Sequence, residues 1–322
     1  MNLGGLGGTD YHRHMARYLV TGGGGFIGSN IAEALTKQGE SVRILDDFST
    51  GRRQNLQGLD VELVEGSLLD DNALKRAVEG VEVIFHEAAL PSVPRSIARP
   101  LDSDRVNVHG TLRLLEAARA AGVRRVLYAG SSSAYGDTPT LPKREDMTPR
   151  PLSPYAVSKL TAEMYLTVYA RIHGLETLTL RYFNVFGPRQ DPNGAYAAVI
   201  PRWCQAAIDG QPITINGAGD QTRDFGYIDN VVRANLLGGT TSKKLSGEVV
   251  NVSCGERISL LELADEIERL SGKPLQRTHL PPRSGDVQDS QADITRAGEL
   301  LGYEPVVRWR EGLERTFRAL RG

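Results

Sequence analysis

Short apolar runs alternate with amphipathic segments over the first part of this chain, and that alternation restricts the folds open to it. The apolar runs are typical of strands, and the segments between them carry apolar residues at helical spacing and end in glycine. Predicted strands cover 18–22, 41–47, 61–66, 81–89, 124–131 and 176–187, and predicted helices cover 27–39, 71–80, 102–121 and 153–174. Such alternation implies right-handed crossovers and a parallel sheet covered on both faces. We therefore expect an α/β fold with a doubly wound parallel sheet.

The alternation of predicted strands and helices becomes less regular after Gly187. Prolines and turn residues are frequent there, before one more helical segment at 259–272. This change predicts a smaller, mixed α/β substrate domain, interrupted by a return of the chain to the first domain. The expected boundaries are 16–186 with 227–252 for the sheet domain and 187–226 with 253–322 for the smaller one. Residues 1–15 are Gly-rich without a packing period, so we expect a disordered extension.

Composition excludes several partners. The 38 Lys and Arg against 39 Asp and Glu give a net charge of −1, which lacks the basic excess of a nucleic-acid-binding protein. The chain has neither a membrane-spanning apolar run nor a signal core, so we expect a cytoplasmic protein with no membrane partner. Cys204 and Cys254 are far apart and form no CxxC pair, so neither a disulfide framework nor a metal site is expected.

A glycine-rich turn joins the first predicted strand to the first predicted helix. Its sequence, TGGGGFIG at 21–28, has the spacing GxxGxxG. Glycine lets the backbone approach a pyrophosphate, and the helix N-terminus offers that anion free N–H groups and a positive dipole. Asp46 ends the second predicted strand, 18 residues after the last glycine of this turn. We therefore predict a dinucleotide site of the Rossmann type that uses Gly22, Gly25, Phe26, Ile27 and Gly28.

Asp46 also bears on the choice of dinucleotide. It is placed to accept hydrogen bonds from the adenosine ribose hydroxyls, and its charge would repel a 2′-phosphate. NAD is therefore favoured over NADP, although Arg52 and Arg53 are near enough in sequence to accept that phosphate. The polar loop between them is assigned to the cofactor through Asp47, Ser49, Thr50 and Gly51.

A tyrosine and a lysine stand four residues apart at the start of a predicted helix. Ser153 suits the cap of this helix and Pro154 its first position, so Tyr155 and Lys159 share one face. The ordinary pKa of tyrosine is about 10, and a nearby cation, the helix N-terminus and oxidised nicotinamide would lower it. The pair suits a general base that removes a hydroxyl proton. Serines 131–133 end the fifth predicted strand, at the edge where open parallel sheets bind ligands.

Several motifs together resemble the extended short-chain dehydrogenase/reductase superfamily and, within it, the nucleotide-sugar 4-epimerases. They are TGGGGFIG, SSSAYGD, SPYAVSK and RYFNVFGPRQDPNGAYAAVIP, and the likeness runs from about residue 16 to the C-terminus. The segments PLSPYAVSK, INGAGDQTRDF and SGDVQDSQAD are most similar to bacterial UDP-N-acetylglucosamine 4-epimerases. The resemblance implies an isomerase with NAD as cofactor and a UDP-sugar as substrate.

The resemblance also implies a role for individual residues. Ser131, Tyr155 and Lys159 match the catalytic residues of the family. Further implied cofactor contacts are Ser67, Leu68, Ala88, Ala89, Asn107, Tyr155, Lys159 and Tyr182. Implied substrate contacts are Ser92, Ser131, Ser132, Ser133, Tyr155, Asn184, Ala198, Val199, Ile215, Asn216, Arg223, Arg283, Asp286 and Ser290. Ser67 departs from the Asp that family members often have there, which weakens one adenine contact.

The implied reaction leaves the net redox state unchanged. Tyr155 takes the proton of the sugar 4-hydroxyl while C4 delivers hydride to NAD, the 4-keto sugar turns over, and hydride returns to its opposite face. Arg223, and Arg283 with Asp286, would hold the diphosphate and the uridine ribose. Ser290 stands where a bulky residue would exclude an N-acetyl group, so N-acetylated sugars are expected, with plain hexoses also admitted.

Other functions remain open at this stage. A nucleotide-sugar dehydratase should carry an Asp-Glu pair directly after the catalytic hydroxyl, where this chain has Ser132 and Ser133. An epimerase or decarboxylase of UDP-glucuronate would need a cation for the substrate carboxylate, and Arg95 is a candidate. A non-catalytic NAD sensor tends to lose the base, whereas Tyr155 and Lys159 are intact here.

The resemblance further implies a homodimer. In the family, two long helices, here near 102–121 and 155–173, pair across a two-fold axis as a four-helix bundle. Apolar residues such as Met164, Leu166 and Val168 would either form that interface or pack only against the sheet.

Overall fold

The computed structural model describes residues 16–194, 197–282 and 287–322. The expected extension at 1–15 and the expected substrate contacts Arg283 and Asp286 lie outside these ranges.

Strands and helices alternate through most of the described chain. The strands are β1 (Tyr18–Thr21), β2 (Val42–Asp46), β3 (Glu62–Glu65), β4 (Val83–His86), β5 (Arg125–Ser131), β6 (Glu176–Tyr182), β7 (Ile213–Asn216), β8 (Thr222–Arg223), β9 (Glu248–Val252), β10 (Ile258–Ser259) and β11 (Arg277–Leu280). The helices are α1 (Phe26–Lys37), α2 (Asp71–Val78), α3 (Val93–Ala98), α4 (Pro100–Asp104), α5 (Thr111–Ala120), α6 (Pro154–His173), α7 (Val199–Ile208), α8 (Ile228–Thr240), α9 (Leu260–Ser271), α10 (Thr295–Leu301) and α11 (Trp309–Arg321). None of these helices combines the length and apolar character needed to cross a bilayer.

Seven parallel strands form the central sheet, in the order β3-β2-β1-β4-β5-β6-β9. Helices α1 and α8 cover one face, where Ile31 and Val231 join a buried cluster with strand residues such as Val20. On the other face, α2, α5 and α6 bury Leu74 and Leu166 among a second set of apolar strand side chains. The predicted doubly wound parallel sheet is therefore confirmed.

Two strands end earlier than the apolar pattern predicts. The fourth predicted strand extends to Ala89, but β4 stops at His86 because its neighbour β1 ends at the paired residue Thr21. The sixth extends to Gly187, but β6 stops at Tyr182, which pairs with the last residue of β5. The apolar residues beyond each end belong instead to loops at the carboxyl edge of the sheet.

The predicted helix at 102–121 is divided rather than continuous. Helix α4 ends at Asp104, the segment Arg105–Gly110 widens into a π-helical turn, and α5 begins at Thr111. Within this turn Asn107 turns its amide inward, and Thr111 Oγ1 donates to the Asn107 carbonyl at 2.6 Å. Such turns displace one residue from the regular helical ladder, which no apolar period reveals.

The C-terminal segments pack against the carboxyl edge of the sheet. Strand β7 pairs with β11 and β8 with β10, while α7, α9 and α11 contribute Trp203, Leu263 and Leu313 to the same apolar cluster as α1 and α8. Asp224, which directly follows β8, is fully buried and accepts bonds from Ser253 Oγ and from three backbone amides on two other segments. The Asp224 carboxyl group thus connects the loop after β8 to the residues that follow β9 and to the segment around Ala292.

Candidate active site

A cavity of about 800 Å³ opens along the carboxyl edge of the sheet. It runs from the glycine turn after β1, past the ends of β4 and β5, to the start of α6 and the segments at 184–194, 197–198 and 287–290. The predicted residues that line it are Gly22, Gly25, Phe26, Ile27, Gly28, Asp46, Asp47, Ser49, Thr50, Gly51, Ser67, Leu68, Ala88, Ala89, Ser92, Ser131, Ser132, Ser133, Tyr155, Lys159, Tyr182, Asn184, Ala198, Arg223 and Ser290. Residues from ten separate segments of sequence therefore meet in one space.

The glycine turn is shaped for close backbone approach. Gly22 has φ +68°, and a Cβ there would lie 2.7 Å from the Ala88 backbone. A Cβ on Gly28 would lie 2.3 Å from the Gly22 carbonyl oxygen. Helix α1 begins at Phe26, and its cap residue Gly25 provides no side-chain bond to the first-turn amides. Those amides and the positive end of the helix dipole face the cavity, where they fit the pyrophosphate of a dinucleotide.

Asp46 stands at the adenosine end of this cavity. Its carboxylate accepts the Gly24 amide at 2.8 Å and the Phe48 amide at 2.7 Å. Burial raises the pKa of Asp46, and these two bonds oppose that rise. The carboxylate is thereby held at the loop where an adenosine ribose would lie.

Both arginines that could have accepted a 2′-phosphate are engaged elsewhere. Arg52 pairs with Asp191, and Arg53 pairs with Glu65 while its guanidinium lies 4.3 Å from the centre of the Phe48 ring. Their charges are therefore partly balanced, which favours NAD over NADP at this site.

Helix α6 begins as its sequence predicts and brings the tyrosine to the cavity. Ser153 accepts the Ala156 amide at 3.1 Å, and Pro154 occupies the first turn. The Tyr155 amide donates to Ser96 Oγ at 3.0 Å, which docks α3 against this end of α6. Burial raises the pKa of the Tyr155 phenol, and a hydrogen bond with Ser131 opposes the rise. The phenol and the hydroxyl of Ser131 thus lie together in the cavity wall, where Ser131 Oγ shares a hydrogen bond of 2.8 Å with Ser133 Oγ.

Lys159 lies one turn further along α6 and is only 4% exposed. Its ammonium lies 4.3 Å from the centre of the Tyr128 ring. Burial lowers the pKa of Lys159 to about 8, against the opposing charges of Glu87 and Glu163. A cation therefore remains in place near neutrality, one helical turn from Tyr155.

The far end of the cavity carries groups suited to a polar ligand. Arg223 donates from Nη1 to the carbonyls of Thr222 at 2.8 Å and Gln288 at 3.2 Å, and its side chain reaches the cavity. Asn184 donates to the Asp224 carbonyl at 3.2 Å. The Ser290 amide bonds the Thr222 carbonyl at 3.2 Å, so Ser290 and Arg223 are held on neighbouring chain segments.

Residues 18–253 match the family described as "NAD dependent epimerase/dehydratase family". The chain belongs to this family. A "UDP-glucose 4-epimerase" of Mycolicibacterium smegmatis is 40% identical over 95% of this chain and 98% of its own length. The structure of a UDP-N-acetylglucosamine 4-epimerase from Methanobrevibacter ruminantium, in complex with UDP-N-acetylmuramic acid, has a TM-score of 0.89, with 35% identity over 94% of this chain and 97% of its own. That of a UDP-glucuronic acid 4-epimerase from Bacillus cereus, with UDP-glucuronic acid and NAD, has a TM-score of 0.88, with 33% identity over 94% and 98%.

These matches confirm the family resemblance, the NAD cofactor and the assignment to an epimerase class of enzyme. The glycine turn, the uncapped start of α1 and Asp46 supply the donors and the acceptor that NAD requires. When bound, NAD supplies a reversible hydride acceptor. The chain itself supplies a phenol that can take a hydroxyl proton, a hydroxyl bonded to that phenol and a nearby cation.

Four residues that the family resemblance assigned to the site do not line the cavity of this epimerase-family chain. Asn107 is 1% exposed, and its amide is bonded to both backbone groups of Leu90 and to Ser158 Oγ, so it positions the loop after β4. Ile215, within β7, is fully buried in the larger apolar cluster of the core. Val199 is the first residue of α7. The backbone carbonyl of Asn216 accepts a hydrogen bond from the side-chain amide of Gln221. The assignment of these four residues to the site stays a prediction.

Several cavity residues were not predicted. Glu87 directly follows β4 and lines the cavity beside Tyr182. Lys143, from a loop, also reaches it, with its Nζ bonded to Thr138 Oγ1 at 2.7 Å. For Glu87 a sequence signal did exist, because a carboxylate just after a buried parallel strand falls at the ligand edge of the sheet. Lys143 lies between the motifs at 131–137 and 151–159, and no local pattern marks it.

Proposed function

We propose that this chain interconverts UDP-N-acetylglucosamine and UDP-N-acetylgalactosamine through a 4-keto intermediate, with UDP-glucose and UDP-galactose as further substrates. The observation that carries this proposal is the group of small hydroxyl side chains that line the same cavity as Tyr155. They are Ser92, Ser131, Ser132, Ser133 and Ser290. Short hydroxyl side chains leave room for an N-acetyl group and can bond its amide, while they also admit a plain hydroxyl.

The residue roles follow from their positions. Tyr155, with Ser131 bonded to it, removes and returns the proton of the sugar 4-hydroxyl, and Lys159 favours the phenolate form. Arg223 pairs with the diphosphate, for which its planar fork is suited. A sugar anchored by its diphosphate can turn over about that anchor and present either face of C4 to the cofactor.

Hexuronate chemistry is the second candidate, and one observation favours it. Arg95 on α3 reaches the cavity wall three residues after Ser92, where a guanidinium could pair with a sugar carboxylate. A dehydratase has less support, since Ser132 and Ser133 occupy the positions where that reaction needs acidic groups.

We further propose that residues 16–186 with 227–252 hold the cofactor and that 187–226 with 253–322 hold the nucleotide-sugar. A homodimer is proposed through α6. Val157, Met164, Val168 and Ile172 are between 44% and 69% exposed, and their spacing gives one apolar stripe on this helix. Leu166, by contrast, is buried under the sheet. An uncovered stripe of this kind marks a protein interface more often than a bare surface.

The substrate proposal is tested by incubating the purified protein, without added NAD, with UDP-N-acetylglucosamine, UDP-glucose and UDP-glucuronate in turn. Chromatography that resolves the 4-epimers should show product from the first two. Ser290→Tyr should lower the rate with the N-acetylated sugar at least about tenfold and that with UDP-glucose much less, because a ring at this wall occupies the N-acetyl space. Lys244→Tyr, an exposed change elsewhere, should alter neither. Product from UDP-glucuronate alone would overturn the proposal in favour of the hexuronate function.

The dimer proposal has its own test. Met164→Asp should shift the sedimenting species from dimer to monomer, because it places a charge in the proposed apolar interface. Val306→Asp, at an equally exposed apolar residue outside α6, is the matched control and should leave the dimer intact. A wild-type protein that sediments as a monomer would refute the proposal.

A further inference from the structure

Glu87 lines the cavity and has no part in the mechanism described so far. It follows β4 directly, and its own amide bonds the Thr21 carbonyl at 3.2 Å. The cavity wall beside it includes Lys159 and Tyr182. Glu87 therefore lies at the same end of the cavity as the tyrosine and lysine of the active site.

One carboxyl oxygen of Glu87 is held firmly. Tyr182, the last residue of β6, donates its hydroxyl to Glu87 Oε1 at 2.9 Å. That hydroxyl in turn accepts the amide of Asn235, a fully buried residue of α8, at 2.8 Å. A chain of two bonds thus fixes the orientation of the carboxyl group.

The second carboxyl oxygen of Glu87 has no hydrogen-bond partner in the described part of the chain. Glu87 Oε2 is buried from solvent, and no polar atom of the described residues bonds it. A buried acceptor without a partner is costly unless something else supplies the donor or the counter-charge. The cavity against which it lies is where the nicotinamide of NAD must sit, because hydride transfer requires that ring beside Tyr155.

We propose that Glu87 is a positioning residue for the nicotinamide end of NAD: Tyr182 holds one oxygen, the carboxyl group lies in the wall of the cofactor cavity, and its negative charge favours the oxidised, cationic ring over the reduced, neutral one. An enzyme that must both take up and return hydride within one turnover benefits from such a counter-charge, because it keeps the resting cofactor oxidised. The inference rests on the NAD cofactor and on hydride chemistry, and it is independent of which UDP-sugar is used.

The charge on Glu87 depends on its surroundings. Burial raises the pKa of Glu87 to about 7, against the bond from Tyr182 and the charge of Lys159. Among the other ionisable groups, the charge of Glu87 helps to raise the pKa of Tyr128 on β5. The preceding residue, His86, stays neutral because burial lowers its pKa to about 3. Glu87 is thus a carboxylate above about pH 7 and a neutral acid below it. The proposed effect on the cofactor should therefore be present at high pH and absent at low pH.

The test reads the bound cofactor rather than sugar turnover. Holoenzyme would be treated with sodium cyanoborohydride, and the rate at which the absorbance of reduced nicotinamide appears would be measured from about pH 5.5 to 8.5, a span that covers the carboxyl titration. The rate for Glu87→Gln is divided by that for wild type at each pH, which removes the pH dependence of the reductant. Glutamine has the same shape and can still accept the Tyr182 bond, but it carries no charge.

We expect this ratio to be near one at low pH and to rise to about tenfold at high pH, the size of losing one charge interaction at a partly buried site. Glu87→Asp, which keeps the charge, should stay near one throughout. Glu145→Gln removes a carboxyl whose pKa burial also raises, on a loop outside the cavity lining, and should stay near one as well.

A ratio near one at every pH would overturn the proposal and leave Glu87 a structural partner of Tyr182. A ratio that stays above one by the same factor at every pH would also overturn it. Such a result would come from the shape of the side chain, which does not change as the carboxyl group titrates. If Glu87→Gln does not fold, Glu87→Met gives the same comparison. None of these readings depends on UDP-sugar turnover, so a failure of the substrate proposal would leave this test unaffected.

Discussion

The ion pair that fastens α6 to the sheet gives the sharpest stability prediction. Glu163 lies one turn beyond Lys159 and accepts Arg181 Nε at 2.9 Å and Nη2 at 2.5 Å. The two side chains are 8% and 4% exposed. The Arg181 guanidinium also lies 4.7 Å from the centre of the Tyr135 ring, so it is enclosed on both sides.

Removing one charge from this pair should be more damaging than removing both. Glu163→Gln leaves a buried guanidinium without its counter-charge, which should cost about 3–5 kcal/mol of unfolding free energy. At about 2 °C per kcal/mol for a chain of this size, Tm should fall by about 6–10 °C. Adding Arg181→Met to Glu163→Gln should recover part of that loss, because the uncompensated charge is then gone.

Thermal unfolding of the holoprotein, followed by circular dichroism at a fixed NAD concentration, would measure these changes. Glu314→Gln is the matched control, because its partner Arg318 is 75% exposed and such pairs are worth less than about 1 kcal/mol. A Glu163→Gln protein as stable as this control would refute the reasoning. A double variant would also refute it if its loss of unfolding free energy equalled the sum of the losses for Glu163→Gln and Arg181→Met alone.

Three further predictions concern the site and its surroundings. Tyr155→Phe should lower kcat by about 10³-fold through loss of the general base, while the NAD content measured after denaturation stays that of wild type. His86 is bonded to two threonine hydroxyls, and burial lowers its pKa to about 3. The unfolded state therefore binds the extra proton, and the free energy of unfolding should fall by up to about 1.4 kcal/mol per pH unit as pH drops from about 6 toward 3, with a flatter profile for His86→Gln. Asp191→Asn breaks the exposed pair with Arg52 that links the 187–194 segment to the loop after β2, so NAD should dissociate up to about fivefold faster in a stopped-flow exchange assay.

The sheet and the glycine turn could be predicted because their signals are local. Alternating periods and the spacing between the turn and Asp46 are properties of neighbouring residues, and the structure has the strands in that order. The capped start of α6 was equally local, since Ser153 and Pro154 act within one turn. These short-range features also placed Tyr155 at the carboxyl edge of the sheet.

What escaped prediction depends on contacts that are distant in sequence. The end of β4 is set by the length of its neighbour β1, and the π-helical turn at Asn107 is fixed by a bond to Ser158 on α6. The environment of Glu87 comes from Tyr182, 95 residues later in the chain, and no pattern near residue 87 contains that information. Family motifs predicted more residues of the site than periodicity could, yet two of these, Asn107 and Ile215, are buried and do not line the cavity.

The most direct test of the central claim, reversible hydride transfer with retained NAD, follows an isotope. UDP-N-acetylglucosamine carrying deuterium at C4 would be incubated with the purified protein and no added NAD, and the product analysed by mass spectrometry and NMR. The account predicts a 4-epimer that keeps its deuterium at C4, because the hydride that leaves the sugar returns to the same carbon within one active site. Loss of deuterium to solvent during epimerisation, or a strict requirement for added NAD in every turnover, would contradict it.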